Sequence, residues 1–77
     1  MDLIEWIEAR RVEQGLSLRK FARVLHTSPA QLSRLLTRQR PATDADLGRL
    51  VRAFPGECEQ ITSLWETYRV AWDTRAA

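Results

Sequence analysis

Apolar residues recur at helical spacing through most of this chain, and no segment alternates apolar and polar residues as a strand does. The pattern predicts a first helix over residues 3–14, whose inner side is formed by Leu3, Ile4 and Ile7. Gly15 is expected to end this helix, because glycine adopts the left-handed backbone of a helix C-terminus without strain. These features predict an all-helical fold.

Two short helices separated by a tight turn are predicted next. Ser17 is a natural N-cap for the second helix, whose apolar residues are Leu18, Phe21, Ala22 and Leu25. After the turn, Ser28 and Pro29 favour the start of a third helix, and Gln31 is spaced to complete a capping box. The inner side of this helix carries Leu32, Leu35 and Leu36. Its outer side carries Ala30, Ser33, Arg34 and Thr37.

A fourth and a fifth helix complete a predicted five-helix bundle. Pro41 interrupts the pattern, and Thr43 then caps a fourth helix that has acidic residues in its first turn. Glycine in mid-helix costs about 1 kcal/mol relative to alanine, so we expect close packing at Gly48. The inner residues of the fourth helix are Leu47, Leu50, Val51 and Phe54. The fifth helix, over residues 57–72, carries Ile61, Leu64, Trp65, Tyr68 and Trp72 on one stripe.

Length, cysteine content and hydropathy narrow the class of protein. The chain has 77 residues, enough for one small domain, and nothing within residues 1–77 indicates a boundary. Cys58 is the single cysteine, so no internal disulfide can form, as is usual in a reducing cytoplasm. No apolar run reaches membrane-spanning length, and acidic residues stand where a signal peptide would carry basic ones. We therefore expect a cytoplasmic protein with no membrane partner.

Charge is unevenly distributed along the chain. The formal net charge is only +2, yet residues 14–43 contain six basic residues and no acidic one. These basic residues are Arg19, Lys20, Arg23, Arg34, Arg38 and Arg40. The separation of sign favours a polyanionic partner for the middle of the chain, although a solvated basic face explains the charge alone equally well.

Catalytic chemistry has little support in the sequence. His26 is the single histidine, and the carboxylates are spread along predicted helices, so neither a catalytic triad nor a metal site is indicated. Glu57 and Glu59 beside Cys58 are typical of a helix start. We expect no enzymatic activity, no metal and no cofactor.

Two short helices joined by a tight turn, the second with a small, polar outer face in basic surroundings, are typical of a helix-turn-helix motif. Residues 17–54 resemble the phage-repressor (Cro/XRE-type) helix-turn-helix domain, with the core motif at residues 17–40. The residues that carry the resemblance include Ser17, Ala22, Leu25, Ser28 and the "LSRLL" of the third helix. The resemblance implies a lambda-repressor-like bundle in which helices 2 and 3 form the motif. It also implies a nucleoid-associated transcription regulator, usually a repressor, that binds double-stranded DNA as a homodimer.

The resemblance assigns base contacts to the outer side of the third helix, which occupies about residues 28–37 and would lie in the major groove. Arg34 is the leading candidate, because arginine can bond O6 and N7 of guanine; a phosphate contact or a surface salt bridge is the alternative. Ala30 could meet a thymine methyl group, and Ser33 could reach a base edge or a phosphate. Gln31 resembles a base-reading residue, yet the capping box explains it equally well.

Phosphate contacts are expected at the ends of the two motif helices and in the loop that follows them. The candidates are Ser17, Arg19, Thr27, Ser28, Thr37, Arg38, Gln39 and Arg40. Lys20 and Arg23 add positive charge beside them. Release of counterions from the DNA would make such binding steeply dependent on salt.

The chain departs from the family pattern at several positions. The family usually has glycine where this chain has His26, and again near Arg38. Leu18 stands where a glutamine usually braces the reading helix, and Pro29 offers no donor at a position from which some relatives read bases. We expect His26 to adopt the left-handed backbone at the end of the second helix, with a phosphate contact as the alternative.

The aromatic stripe of the fifth helix is either a core stripe alone or a core stripe plus an exposed interface. Because repressors of this family generally dimerise, its residues Ile61, Trp65, Tyr68 and Trp72 are the candidate dimer contacts. Trp6, at the edge of the inner side of the first helix, is expected near them. A protein-interaction module, an antitoxin and the N-terminal domain of a longer regulator would share these features, and the sequence leaves them open.

Overall fold

The computed structural model describes the backbone of residues 1–76 and the side chains of residues 1–72. The elements in this range are α1 (Leu3–Glu13), α2 (Leu18–Val24), α3 (Pro29–Leu36), α4 (Asp44–Ala53), a 3₁₀ turn (Pro55–Glu57) and α5 (Cys58–Ala76). The predicted all-helical, five-helix fold is confirmed, although α5 extends beyond its predicted end at residue 72. No helix in the described part of the chain is long and apolar enough to span a membrane.

Helices α1 to α4 each begin at a side chain that accepts a hydrogen bond from a backbone N–H of the first turn. These N-cap residues are Asp2, Ser17, Ser28 and Thr43, and the last three were predicted from the sequence. The reciprocal bond of a capping box forms in α1 and α4. In α3, Ser28 accepts from the Gln31 N–H, but the Gln31 side chain is exposed and bonds to no described residue. The predicted capping box in α3 is therefore wrong, and the amide of Gln31 is free for other contacts.

Helices α1, α2 and α3 end in the same hydrogen-bond pattern. The residues that follow them all have a positive φ and are Gly15 (66°), His26 (56°) and Arg38 (62°). After α2, the N–H of His26 donates to the carbonyl of Arg23, and the N–H of Thr27 donates to the carbonyl of Ala22. This pair of bonds is the Schellman motif, and it recurs after α1 and α3. Gly15 ends α1 as predicted, and His26 has the left-handed backbone that its position predicted.

One hydrophobic core holds the helices together. Its buried residues are Leu3, Ile4, Trp6, Ile7, Phe21, Ala22, Leu25, Leu32, Leu35, Ala42, Leu50, Ile61 and Trp65. Trp6 is only 2% exposed, and its ring meets that of Phe54 edge-on, with 5.5 Å between the centroids. The Arg10 guanidinium lies over the Trp6 ring at 5.0 Å. Trp6, predicted at the edge of the inner side of α1, is therefore fully part of the core, because Phe54 at the end of α4 and Arg10 cover its ring.

Helix α4 contains a glycine that packing does not explain. A Cβ added at Gly48 would meet no atom within 4 Å, so the predicted close packing at this position is wrong. The remaining inner residues of α4 behave as predicted: Leu50 is buried, and Leu47, Val51 and Phe54 pack against the core.

Replacing Gly48 with alanine is expected to raise the free energy of unfolding by about 1 kcal/mol, because glycine is the poorer helix former and the added methyl group meets open space. The melting temperature should then rise by roughly 4–8 °C. Gly15→Ala is the matched control, since a φ of +66° strains any side chain, and this variant should be destabilised. A lower melting temperature for Gly48→Ala would contradict the open environment of Gly48.

Candidate nucleic-acid interface

Helices α2 and α3 form the predicted pair, with a tight turn over residues 25–28 between them. Ala22 of α2 and Leu32 of α3 are both 1% exposed, so each helix buries its inner side in the core. The side chain of His26 is exposed and makes no hydrogen bond to a described residue. His26 thus contributes its backbone conformation to the turn, and its ring points to no catalytic or ligating partner in the described part of the chain.

The outer face of α3 presents Ala30, Gln31 and Arg34, and all three side chains are exposed. Residues three and four positions apart are neighbours on a helix surface, so Arg34 lies beside both of the others. Ser33 is half-buried, and its carbonyl accepts a hydrogen bond from the Thr37 hydroxyl at 2.8 Å. The structure therefore brings three of the four predicted base-contacting residues onto one open face and places Ser33 at its margin.

Several basic side chains on the two motif helices are uncompensated. Arg19, Lys20 and Arg23 on α2 and Arg34 on α3 are exposed and have no ion-pair partner among the described side chains. The predicted basic surface is therefore concentrated on α2 and the outer face of α3, where no acid of residues 1–72 neutralises it.

Arg38, in the turn after α3, is bound to an acid of the same chain. Its Nη2 lies 2.7 Å from Oδ2 of Asp2, and both side chains are nearly half exposed. Burial acts to raise the pKa of the Asp2 carboxyl, but hydrogen bonds from the Glu5 N–H and from Arg38 outweigh it and lower that pKa. An exposed ion pair contributes only about 0–1 kcal/mol, so a phosphate can compete with Asp2 for Arg38.

Arg40 has a different environment, because its partner is buried. Its Nη1 lies 2.8 Å from Oδ2 of Asp46 and its Nη2 lies 3.2 Å from Oδ1 of the same carboxylate. The Asp46 side chain is 7% exposed and that of Arg40 is 20% exposed. The predicted phosphate contact of Arg40 does not fit this geometry, because a buried carboxylate already neutralises the guanidinium.

The other predicted phosphate contacts lie at the ends of the motif helices: Ser17 and Arg19 at the start of α2, Thr27 and Ser28 before α3, and Thr37 and Gln39 after it. The hydroxyls of Ser17 and Ser28 accept hydrogen bonds from the first turns of their helices at 3.2 and 3.1 Å. A hydroxyl that accepts one bond can still donate another, so both remain able to bind a phosphate oxygen. Thr27 is half-buried, and Thr37 and Gln39 are exposed. The Thr37 hydroxyl donates to the Ser33 carbonyl, so it would have to turn away from that carbonyl to bind a phosphate.

The aromatic stripe of α5 divides into a buried and a surface part. Ile61 is 0% exposed and Trp65 is 8% exposed, and both belong to the core. Tyr68 and Trp72 are half-buried, and their rings stack with 6.3 Å between the centroids. Both rings line an open groove of about 420 Å³ that also includes Met1. Of the four predicted dimer contacts, Tyr68 and Trp72 are therefore the two that present surface to a partner, whereas Ile61 and Trp65 serve the core.

Sequence reasoning missed the groups that hold the loop between α3 and α4. Asp46 binds Arg40, and the Tyr68 hydroxyl accepts a hydrogen bond from the Ala42 N–H at 2.8 Å. The available signal was the position of Asp46 in the first turn of α4, which indicates a helix-stabilising acid but does not reveal its partner in the preceding loop.

This all-helical bundle, with a tight turn between α2 and α3 and an exposed face on α3, defines a helix-turn-helix DNA-binding domain. A helix-turn-helix family model matches residues 7–61. The chain belongs to this Cro/C1-type helix-turn-helix family, which consists of DNA-binding transcription regulators and is not a family of enzymes. The family predicted from the sequence is thus confirmed. No curated protein and no solved structure shows a significant match to the chain.

Proposed function

We propose that the protein is a sequence-specific transcription repressor that reads the major groove of duplex DNA with α3. The observation that carries this proposal is the environment of Arg34, whose side chain is exposed on α3 and has no partner among the described residues. The major groove, roughly 12 Å wide, admits one α-helix. A free guanidinium on such a helix can form a bidentate pair with O6 and N7 of guanine.

The neighbours of Arg34 suit the same role. Gln31 has a free side-chain amide, which can bond the N6 and N7 atoms of adenine. Ala30 is small and exposed in the first turn of α3, so it allows close approach to the bases and can contact a thymine methyl group. Ser33, at the margin of the face, is placed for a base edge or a phosphate.

The uncompensated charge on α2 supports a phosphate-binding role beside the reading helix. Arg19, Lys20 and Arg23 are exposed and lack partners within residues 1–72, so their charges are available to the DNA backbone. Arg38 can exchange its exposed partner Asp2 for a phosphate. Ser17, Thr27, Ser28, Thr37 and Gln39 complete the proposed set of backbone contacts. Arg40 is left out, because its charge is neutralised by Asp46.

The proposal includes a homodimer that forms through the exposed part of α5. Tyr68 and Trp72 present stacked, half-exposed rings beside an open groove, and burial of such rings favours association. A twofold dimer would place two copies of α3 about one DNA turn apart, roughly 34 Å. The protein would act in the cytoplasm, bound to the chromosome.

The test is selection of bound sequences from a random pool of duplexes. We expect enrichment of an inverted repeat whose half-sites lie about one turn, roughly 10 base pairs, apart, with a guanine at one fixed position in each half-site. A selected pool that matches the input would overturn the proposed sequence-specific binding. Enrichment of a single half-site, together with a monomeric mass in sedimentation, would overturn the dimer and leave the reading role of α3 intact.

A further inference from the structure

In the loop that joins α3 to α4, the Arg40 side chain bonds to both of the helices that the loop connects. Arg40 donates from Nε to the carbonyl of Gln31, in the first turn of α3, at 3.3 Å. It also donates from Nη1 to the carbonyl of Pro41 at 3.0 Å. Its remaining bonds go to the Asp46 carboxylate in the first turn of α4. One side chain thus spans from the reading helix to the start of the next helix.

Asp46, the partner of Arg40 in α4, is itself fixed in place. Its Oδ2 accepts from the Thr43 N–H at 2.8 Å and from the Thr43 hydroxyl at 3.1 Å. Its Oδ1 lies 3.4 Å from Nη1 of Arg49. Burial acts to raise the pKa of this carboxyl, but the hydrogen bonds from Arg40 and Thr43 outweigh it and lower that pKa. Asp46 is therefore an ionised and rigid anchor for Arg40.

We propose that Arg40 is a positioning residue that sets the orientation of the reading helix α3 relative to α4, and that it does not bind phosphate. This inference rests on the proposed role of α3 in reading DNA. The geometry favours it because Arg40 holds the Gln31 carbonyl, which lies one helical turn before the candidate base reader Arg34. Base contacts require placement of a side chain to within a fraction of an ångström, and a fastened first turn supplies that placement.

The positioning role requires the shape of the guanidinium group, whose N–H donors point in several fixed directions. Arginine presents several N–H donors in a fixed plane, whereas the lysine ammonium is a single point charge. Lysine at position 40 could still neutralise Asp46 or attract a phosphate, but it has one nitrogen where the guanidinium uses Nε for the Gln31 carbonyl and Nη1 and Nη2 for Asp46. A phosphate contact would tolerate lysine, so Arg40→Lys separates the two roles.

The experiment compares Arg40→Lys, Arg40→Gln and Asp46→Asn with the unaltered protein on two duplexes, the selected site and a mixed sequence, over a range of salt. We expect all three variants to lose about tenfold or more of the ratio between the two affinities, comparable to the loss of one base contact. The salt slope of the two Arg40 variants on the mixed sequence should stay unchanged, because no phosphate contact is removed. Asp44→Asn is the matched control, since it removes the same charge from an exposed side chain that does not contact Arg40.

A phosphate-binding Arg40 would give the opposite results. Arg40→Gln would then lower the salt slope by about one unit, Arg40→Lys would retain the affinity ratio, and Asp46→Asn would bind more tightly than Asp44→Asn. Any of these outcomes would overturn the proposal. If the unaltered protein bound the two duplexes equally well, the proposed function itself would fail. This comparison needs no variant, so it distinguishes failure of the proposed function from failure of the positioning role.

A second measurement tests the positioning role on a variant that is expected to stay folded, and it does not require DNA. Backbone amide NMR shifts of α3 in the DNA-free Arg40→Lys protein should move across residues 30–34, while those of α1 stay in place, because only the fastening of α3 is altered. The melting temperature of Arg40→Lys should remain that of a folded protein, since its charge still pairs with Asp46. Unmoved α3 shifts in a folded Arg40→Lys protein would overturn the positioning role.

Discussion

Raising the salt concentration from 50 to 200 mM should weaken binding of one chain to mixed-sequence duplex DNA about 40-fold. This value counts the three cations on α2 that have no acidic partner, Arg19, Lys20 and Arg23, each releasing about 0.9 counterions; Arg38 is not counted, because it is paired with Asp2 before binding. A dimer presents twice as many cations, so its binding should fall about 2,000-fold over the same range. Fluorescence anisotropy of a labelled duplex at several salt concentrations measures the slope directly.

Single substitutions test which residues cause the dependence of binding on salt concentration. Lys20→Ala should lower the slope by about 0.9 per chain, because it removes one phosphate contact. Arg52→Ala is the matched control, since Arg52 is an exposed basic residue outside α2 and α3 and should leave the slope unchanged. Binding that is insensitive to salt, or equal losses of slope for both variants, would contradict the assignment of the phosphate contacts to α2.

Replacing Arg34 with alanine should weaken binding to the selected site by about 1–3 kcal/mol, or roughly 5- to 150-fold, because a bidentate contact to guanine is lost. Binding to mixed-sequence duplex should change little by comparison. The preference for guanine at one position of each half-site should disappear in a selection repeated with Arg34→Ala. These measurements together separate a base contact from a backbone contact.

Arg23→Ala is the control for Arg34→Ala, since Arg23 is an exposed arginine on the neighbouring helix α2. It should weaken binding to the selected and the mixed duplex by similar factors. If Arg34→Ala also weakened both duplexes equally, Arg34 would be a phosphate contact and the base-reading role of α3 would need another residue.

Much of the fold could be predicted from the sequence because local interactions determine it. The N-caps Ser17, Ser28 and Thr43 bond to residues only three positions away, so a short stretch of sequence specifies them. Gly15 and His26 mark turns for the same reason, since the required backbone conformation depends on one residue. The exposed face of α3 followed from the helical period together with the positions of its leucines.

What the sequence could not specify depends on contacts between distant residues. Asp2 and Arg38 are 36 positions apart, and only the folded chain brings them together. Arg40 and Asp46 are close in sequence, yet their pairing depends on how the loop turns back over α3. The full burial of Trp6 also depends on a distant residue, because its ring is covered by Phe54 at the far end of α4. Arg38 and Arg40 are alike in charge and were both candidates for phosphate contacts. In the folded protein they differ, because each is paired with a different acidic residue.

The aromatic stripe of α5 illustrates the limit of periodicity. A helical repeat places Ile61, Trp65, Tyr68 and Trp72 on one side, but it does not indicate where along the helix the rest of the protein stops. The core covers the first two of these residues and leaves the last two half-exposed. The division depends on how far α5 extends past its neighbours, which is a property of the tertiary arrangement.

The Schellman turns after α2 and α3 bear on the thermodynamics of DNA binding. The backbone amides of His26, Thr27, Arg38 and Gln39 are already bonded within these turns in the absence of DNA. Ordering one residue of a flexible loop costs about 1–2 kcal/mol, and here that ordering is complete before any encounter. The turns that we propose to face DNA thus form a preorganised surface, and association would be opposed mainly by the immobilisation of long arginine and lysine side chains rather than by folding of the backbone.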